Sequence, residues 1–136
     1  MPKASIEHAD YRALAAFRRA LREFIAFSEE AARAAGLTPQ QHQAILAIRA
    51  HEVPMSIGNL AEELSIRQNS ATELVSRLMK AELVTRLPAA NDRRRIDLQL
   101  TKKANDLLAS LSAVHMAELR DRRALLEVLL GRLKRP

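Results

Sequence analysis

Apolar positions along the first quarter of the chain recur at helical spacing. Leu14, Phe17, Leu21 and Phe24 alternate three- and four-residue steps across residues 10–35, Ala31 continues the seam, and Gly36 stands where a helix would stop. This period marks an amphipathic helix, and glycine just past its end suits the left-handed residue that closes many helices. Thr38-Pro39-Gln40-Gln41 reads as the start of a second helix, with Thr38 as N-cap, Pro39 in the first turn and Gln41 completing a capping box. That helix runs to about Ala50, with Ala44, Ile45 and Ile48 inward. Ser56 opens a short third helix whose Ile57, Leu60, Ala61 and Leu64 share a face, and Ser65-Ile66-Arg67 forms a tight turn. A fourth helix follows over about residues 68–81, with Ala71, Leu74, Val75 and Leu78 as its apolar stripe.

The period then changes from about 3.6 to two. Ile96, Leu98 and Leu100 alternate with Arg95, Asp97 and Gln99, which predicts a half-buried strand. Leu83–Leu87 is the opposing arm, closed by Pro88, and Asp92-Arg93-Arg94-Arg95 sits at the tip of the hairpin. Thr101 ends the second strand and caps a fifth helix lined by Ala104, Leu107, Leu108, Leu111 and Val114. Asp121 caps a sixth, with Leu125, Leu126, Leu129, Leu130 and Leu133 clustered. The fold class is therefore mainly α: a winged helix-turn-helix with long N- and C-terminal helices and a central β-hairpin wing.

Composition narrows the chemistry. The 136 residues fit one domain with appended helices, and 48% apolar content allows a packed core. Aromatic residues make up 3% and tryptophan is absent, so the core is aliphatic and base stacking on aromatic platforms is disfavoured. A net charge of +6 favours a polyanionic partner, nucleic acid before an acidic membrane. No run of 18 apolar residues exists, and Met1–Ser5 lacks the apolar stretch of a secretion signal, so the expectation is a cytoplasmic protein with no membrane partner. Without cysteine there is no disulfide framework or thiol site. His8, His42, His51 and His115 form no HxxxH or HxH pair, although His42 and His115 lie on helices that could face one crevice. Neither a metal site nor a cofactor is expected. Met55, Met79 and Met116 are expected in the core. With three glycines, no phosphate-cradling loop and no carboxylate–histidine cluster, the chain does not read as an enzyme.

The order of these pieces resembles the MarR family of bacterial transcriptional regulators over nearly the whole chain. Leu60-Ala61-Glu62-Glu63-Leu64-Ser65-Ile66 is similar to that family's positioning helix and turn, and Ser70–Leu78 to its recognition helix. Leu83-Val84-Thr85-Arg86, Asn91-Asp92-Arg93-Arg94 and Leu98-Gln99-Leu100-Thr101 resemble its wing, with an Asp-x-Arg tip and a Leu-Thr exit. Three positions depart from the pattern. Glu82 replaces the usual glycine between recognition helix and wing, Ala104 replaces a second glycine, and Arg67 replaces a small polar cap. A left-handed glutamate costs about 1 kcal/mol, so the end of the fourth helix is expected to be built differently.

The resemblance implies a single subunit, 1–136, with dimerisation helices at 10–35 and 102–136 and a DNA-binding region at 38–101. It implies double-stranded DNA as partner, with the recognition helix in the major groove and the wing in the adjacent minor groove. On the helix, Gln68, Asn69, Thr72, Glu73, Ser76 and Arg77 are the expected contacts. Asn69 can pair with adenine; Thr72 or Ser76 can meet bases or phosphates, and Arg77 phosphate or guanine. Glu73 can accept from cytosine N4, repel phosphate, or pair with Arg77. Arg94 is expected in the minor groove, Arg93 and Arg95 on the backbone, and Asp92 as a brace pairing with Arg94 or Arg93.

Leu14, Leu21, Leu125, Leu129 and Leu133 exceed what a compact winged domain can cover, which predicts a two-fold homodimer through the terminal helices. The corresponding function is a dimeric repressor on a pseudo-palindromic operator, released by a small-molecule effector in the manner the resemblance implies. Phe17, Phe24 and Phe27 all lie on one helix and are expected in core or interface, Phe27 off the seam of the other two. Two other readings of the same pattern are a winged-helix protein-interaction module and a weakly specific architectural DNA binder.

Overall fold

The computed structural model describes residues 5–89 and 92–133. In order the elements are α1 (His8–Ala34), α2 (Pro39–Ala50), β1 (Met55–Ser56), α3 (Ile57–Leu64), α4 (Gln68–Lys80), β2 (Val84–Ala89), β3 (Asp92–Leu100), α5 (Lys102–Asp121) and α6 (Arg123–Arg132). The three strands form one antiparallel sheet in the order β1-β3-β2. The fold is mainly helical with a small winged sheet, as the pattern predicted.

Three local expectations are corrected. Strand β1 was not foreseen: two residues give no readable alternation, and only the pairing of Met55 with Leu98 and Ser56 with Asp97 defines it. Leu83 precedes β2, and Pro88 lies inside the strand opposite Ile96 rather than closing it. An edge position tolerates proline's missing donor. Asp121 is the last residue of α5 and does not cap α6; Arg122 occupies that N-cap without a side-chain bond.

Helix ends follow their side chains closely. Thr38 and Gln41 form the reciprocal capping box that opens α2. Ser56 and Asn59 form a second box at α3. The Thr101 hydroxyl accepts from the Ala104 N–H over 3.1 Å and opens α5. Three helices end in the same double-bonded Schellman turn. At Gly36 (φ 84°), Leu37 N–H donates to Ala32 O over 2.9 Å. At Ser65 (φ 54°) and Glu82 (φ 60°) the matching bonds run from Ile66 to Ala61 and from Leu83 to Leu78. Glu82 therefore adopts the left-handed conformation after all, and the expectation of a different helix end is overturned.

The described residues divide into two compact units. The central one, Ala31–Ser112, holds a continuous core of Leu37, Ala44, Ile45, Ile48, Met55, Leu60, Leu74, Val75, Leu78, Leu83, Val84 and Leu98, joined by Ala32 from α1 and by Ala104, Leu108 and Leu111 from α5. Ala104 is fully buried, so a methyl group is accommodated at this position. This unit contains no Phe, Tyr or Trp. Its cohesion is aliphatic, at about 1.5–3 kcal/mol for each large side chain fully buried.

The other unit contains α1 up to Glu30 and the chain from Ala113 onward. Ala13 and Ala20 are its buried side chains on α1, with Phe17 and Phe24 half-buried. Arg122 donates to Glu23 (2.8 Å) and Glu118 (3.0 Å), and Arg132 to Asp10 (2.8 Å) and Glu7 (3.0 Å). Phe24 and Phe27 both meet His115 edge-on, at centroid distances of 5.7 and 5.6 Å, so Phe27 shares a contact with Phe24 although it lies off the predicted seam. Of the three methionines expected in the core, Met55 is buried, whereas Met79 and Met116 are exposed. Among the described residues no helix is long and apolar enough to cross a membrane.

Candidate nucleic-acid interface

Helix α4 is divided lengthwise by its sequence. Ala71, Leu74, Val75 and Leu78 are buried, and Gln68, Asn69, Thr72, Glu73, Ser76, Arg77 and Lys80 are all exposed. A helix whose apolar stripe is fully buried cannot roll, so the exposed residues are presented as a fixed face. All six expected contact residues of the helix lie on it. The Thr72 hydroxyl donates back to Gln68 O over 3.0 Å, so its proton is engaged within the helix. Among the described residues no ion pair joins Glu73 to Arg77, so the intrahelical reading of Glu73 is not realised. Arg67, the N-cap, makes no side-chain bond to the helix start.

The wing begins where α4 ends. Glu82 reverses the chain, Leu83 N–H bonds Leu78 O, and Thr101 closes the far side by donating through its hydroxyl to Glu82 O (2.7 Å) and through its N–H to Leu83 O (3.0 Å). Lys103 Nζ donates to Ala81 O over 2.9 Å and so covers another carbonyl at the helix end. The base of the wing is thus tied to α4 and α5 at once.

Towards the tip the register breaks. Pro88 pairs with Ile96 but Ala89 pairs with Asp92, so Arg93, Arg94 and Arg95 have no counterparts on β2 and form a bulge in β3. Bulges bend a strand and re-aim its side chains. Asp92 braces this bulge through the main chain, accepting from the Arg94 N–H over 2.9 Å. Asp92 thus meets Arg94, one of its two expected partners, at the backbone amide. Arg94 is exposed. The Arg93 side chain lies outside the described residues, as does Asn91 of the tip.

Arg95, expected on the DNA backbone, makes its bonds within the subunit. Its Nε donates to Asp97 Oδ1 (3.0 Å), and its Nη2 donates to Pro54 O (2.7 Å) and Asn59 Oδ1 (3.2 Å). Sequence reasoning missed Asn59 and Asp97. The weak S-x-x-N form of the capping box at Ser56 was the only available signal for Asn59, and nothing linked either residue to a side chain 36 positions away.

Charge follows the same division. The described part of the Ala31–Ser112 unit has 11 Lys and Arg against 8 Asp and Glu, while the described part of the other unit has 8 of each. Among the described residues the basic excess lies in the unit that carries α4 and the wing.

The residues expected at a dimer interface fall into two groups. Leu14, Leu21 and Leu133 are exposed at 52, 46 and 65%, and Ile25 joins the first two on the same side of α1. Leu125 and Leu129 are half-buried and line a groove of about 350 Å³ with Ala9, Ala13 and Ala16. The single seam predicted on α1 is therefore two faces, with Phe17 and Phe24 turned inward and Leu14 and Leu21 outward. Among the described residues no group of three His, Cys, Asp or Glu side chains could hold a metal ion.

With this geometry in place the comparisons with known proteins are direct. The model of the MarR family matches residues 35–95, from the end of α1 through the arginine bulge. The HTH-type transcriptional regulator FarR of Neisseria gonorrhoeae is 34% identical over 100 residues, which is 74% of this chain and 65% of that protein's length. The chain belongs to the MarR family. Solved structures agree on the fold. The RV1404 protein of Mycobacterium tuberculosis superposes with a TM-score of 0.76 at 24% identity, covering 96% of this chain and 95% of that one. A MepR variant of S. aureus, solved bound to an oligodeoxyribonucleotide, gives 0.70 at 19% identity over 87% of this chain and 95% of its own. The transcription regulator MarR from Oenococcus oeni gives 0.65 at 25% identity, covering 86% and 94%. The family's winged helix thus accommodates Glu82 and Ala104 at positions where this chain lacks glycine.

Proposed function

We propose that this MarR-family chain is a sequence-specific, double-stranded DNA-binding transcriptional regulator. It works as a homodimer and represses from a pseudo-palindromic operator in the cytoplasm. The observation that carries this reading is the joining of two features by one core. The polar face of α4 and the arginine bulge of β3 are held together by Leu78, Leu83, Val84 and Leu98. The solved complex of a MepR variant with an oligodeoxyribonucleotide, on the same fold, supports it.

In this reading α4 enters the major groove. Asn69 pairs with adenine, Glu73 accepts from cytosine N4, Ser76 and the Thr72 methyl group contact base edges, and Gln68 and Arg77 reach the backbone or guanine. Arg94 enters the minor groove, where narrow A·T stretches concentrate negative potential, and Arg93 meets phosphate. Two subunits joined through Leu14, Leu21 and Leu133, with Leu125 and Leu129 beneath them, set two reading heads about 34–36 Å apart. The chemistry is binding, not catalysis. Release by a small-molecule effector belongs to the same reading, and a pocket within the Ala31–Ser112 unit would be lined by aliphatic and polar groups, since that unit has no aromatic residue beyond histidine.

The test is Arg94→Ala on a duplex selected from a random pool. The expected result is binding at least tenfold weaker, with the dimer intact by sedimentation. Unchanged affinity in a mobility-shift titration overturns the wing assignment.

A further inference from the structure

The three arginines of the bulge are alike in sequence and unlike in surroundings. We infer that Arg95 is a positioning residue: it latches the wing to the start of α3, through Asp97, Asn59 and the Pro54 carbonyl, and does not contact phosphate. The inference on the latch stands on geometry alone; its consequence for DNA rests on the function proposed above.

Four observations support the latch. Arg95 reaches across 36 residues to the Asn59 side chain and 41 to the Pro54 carbonyl, so it joins segments that no local bond connects. Its acceptors belong to different structural parts: Asp97 to β3, Pro54 to the loop before β1, and Asn59 to the first turn of α3. Asn59 Oδ1 also accepts the Ser56 N–H, over 3.1 Å, so the guanidinium bonds directly into the capping box of α3. The Asp97 side chain is largely covered, at 17% exposure, beside an Arg95 side chain at 40%. A guanidinium bonded to several acceptors in a fixed fork keeps its orientation in a way that an ammonium cannot.

The site explains a mechanical need. Bulging three residues out of β3 breaks the ladder with β2 just where the wing should be rigid. On its other edge β3 has only the two-residue partner β1. Arg95 adds side-chain bonds at that edge, from the bulge itself to the residues flanking β1. Arg94 is then aimed by a neighbour that is anchored on the opposite side.

Two measurements test this, and they fail separately. In the DNA-free protein, Arg95→Gln and Arg95→Lys should each speed amide hydrogen exchange at Met55, Ser56, Asp97 and Leu98 at least tenfold, while the α4 amides keep their protection. Unchanged exchange at those four amides overturns the latch, whatever the protein binds. On a selected duplex, both variants should bind about tenfold more weakly with an unchanged slope of log affinity against log salt. Losing a phosphate contact instead flattens that slope by about one unit per subunit. If Arg95→Gln flattens the slope and Arg95→Lys restores both slope and affinity, Arg95 is a phosphate ligand and the inference is wrong. If the unaltered protein binds no duplex, the function proposed above fails and the exchange result still decides the latch.

Discussion

The Thr101 hydroxyl donates to the carbonyl of Glu82 over 2.7 Å, and the same oxygen accepts the Ala104 N–H over 3.1 Å. One side chain thus closes the left-handed turn after α4 and opens α5. A glutamate at φ 60° carries about 1 kcal/mol that glycine would not. Glu82→Gly is expected to raise stability by about 0.5–1 kcal/mol in urea denaturation, part of the gain being lost to the freer unfolded chain. Thr101→Ala is expected to lower it by about 1–2 kcal/mol, because a cap and a second bond go together. A Glu82→Gly protein less stable than its parent would show that the glutamate is held by contacts not described above.

That turn also shows where sequence reading succeeds and where it stops. The caps at Thr38, Ser56 and Thr101 and the buried stripe of α4 were legible, because each depends on residues three or four apart. The exposed face of α4 followed from the same geometry. Strand β1, the bulge at Arg93–Arg95 and the latch of Arg95 were not legible. Strand β1 and the latch depend on partners tens of residues away, the bulge depends on a register shift that no alternation shows, and a two-residue strand has no period. Glu82 marks the opposite failure: local propensity argued against a left-handed glutamate, and the packing of Leu83 in the core with the bonds from Thr101 overrode it.

Base reading by α4 is tested at single positions. Asn69→Ala is expected to cost about 1–3 kcal/mol of binding and to relax preference at one base pair in each half-site. Glu73→Gln should reduce the preference for cytosine while total affinity holds or rises, since a negative charge near phosphates is removed. Both effects are read by competition among duplexes that differ at one position. Uniform weakening across all duplexes would instead place these residues on the backbone.

Acid should loosen the terminal helices first. The guanidinium of Arg132, with the Glu7 N–H, holds the Asp10 carboxyl below its usual range, and Arg122 does the same for Glu23. A carboxyl depressed in the folded state contributes stability that is fully present above its unfolded value and is lost as pH falls through the folded one. The loss therefore falls below about pH 4. Urea denaturation should find Arg132→Gln and Arg122→Gln less stable than the parent at pH 7, with the gap narrowing as pH falls below about 4 and reduced in 1 M salt. A gap independent of pH would assign these arginines a packing role instead.

Leu14 and Leu21 are exposed in the subunit, so their replacement should spare its fold. Leu14→Ser with Leu21→Ser removes four leucines from a two-fold interface, on the order of 6 kcal/mol. Sedimentation equilibrium at micromolar concentration is expected to change from two chains to one, with helical content retained. A persistent dimer would place the interface elsewhere.

In the proposed function α4 and the wing read one duplex sequence from two subunits. Selection of bound duplexes from a random pool by the intact protein tests it most directly. The expected result is an enriched motif with dyad symmetry whose half-sites lie about one helical turn apart, roughly 10–10.5 base pairs centre to centre. Enrichment of base composition without a dyad, or no enrichment at all, would contradict it.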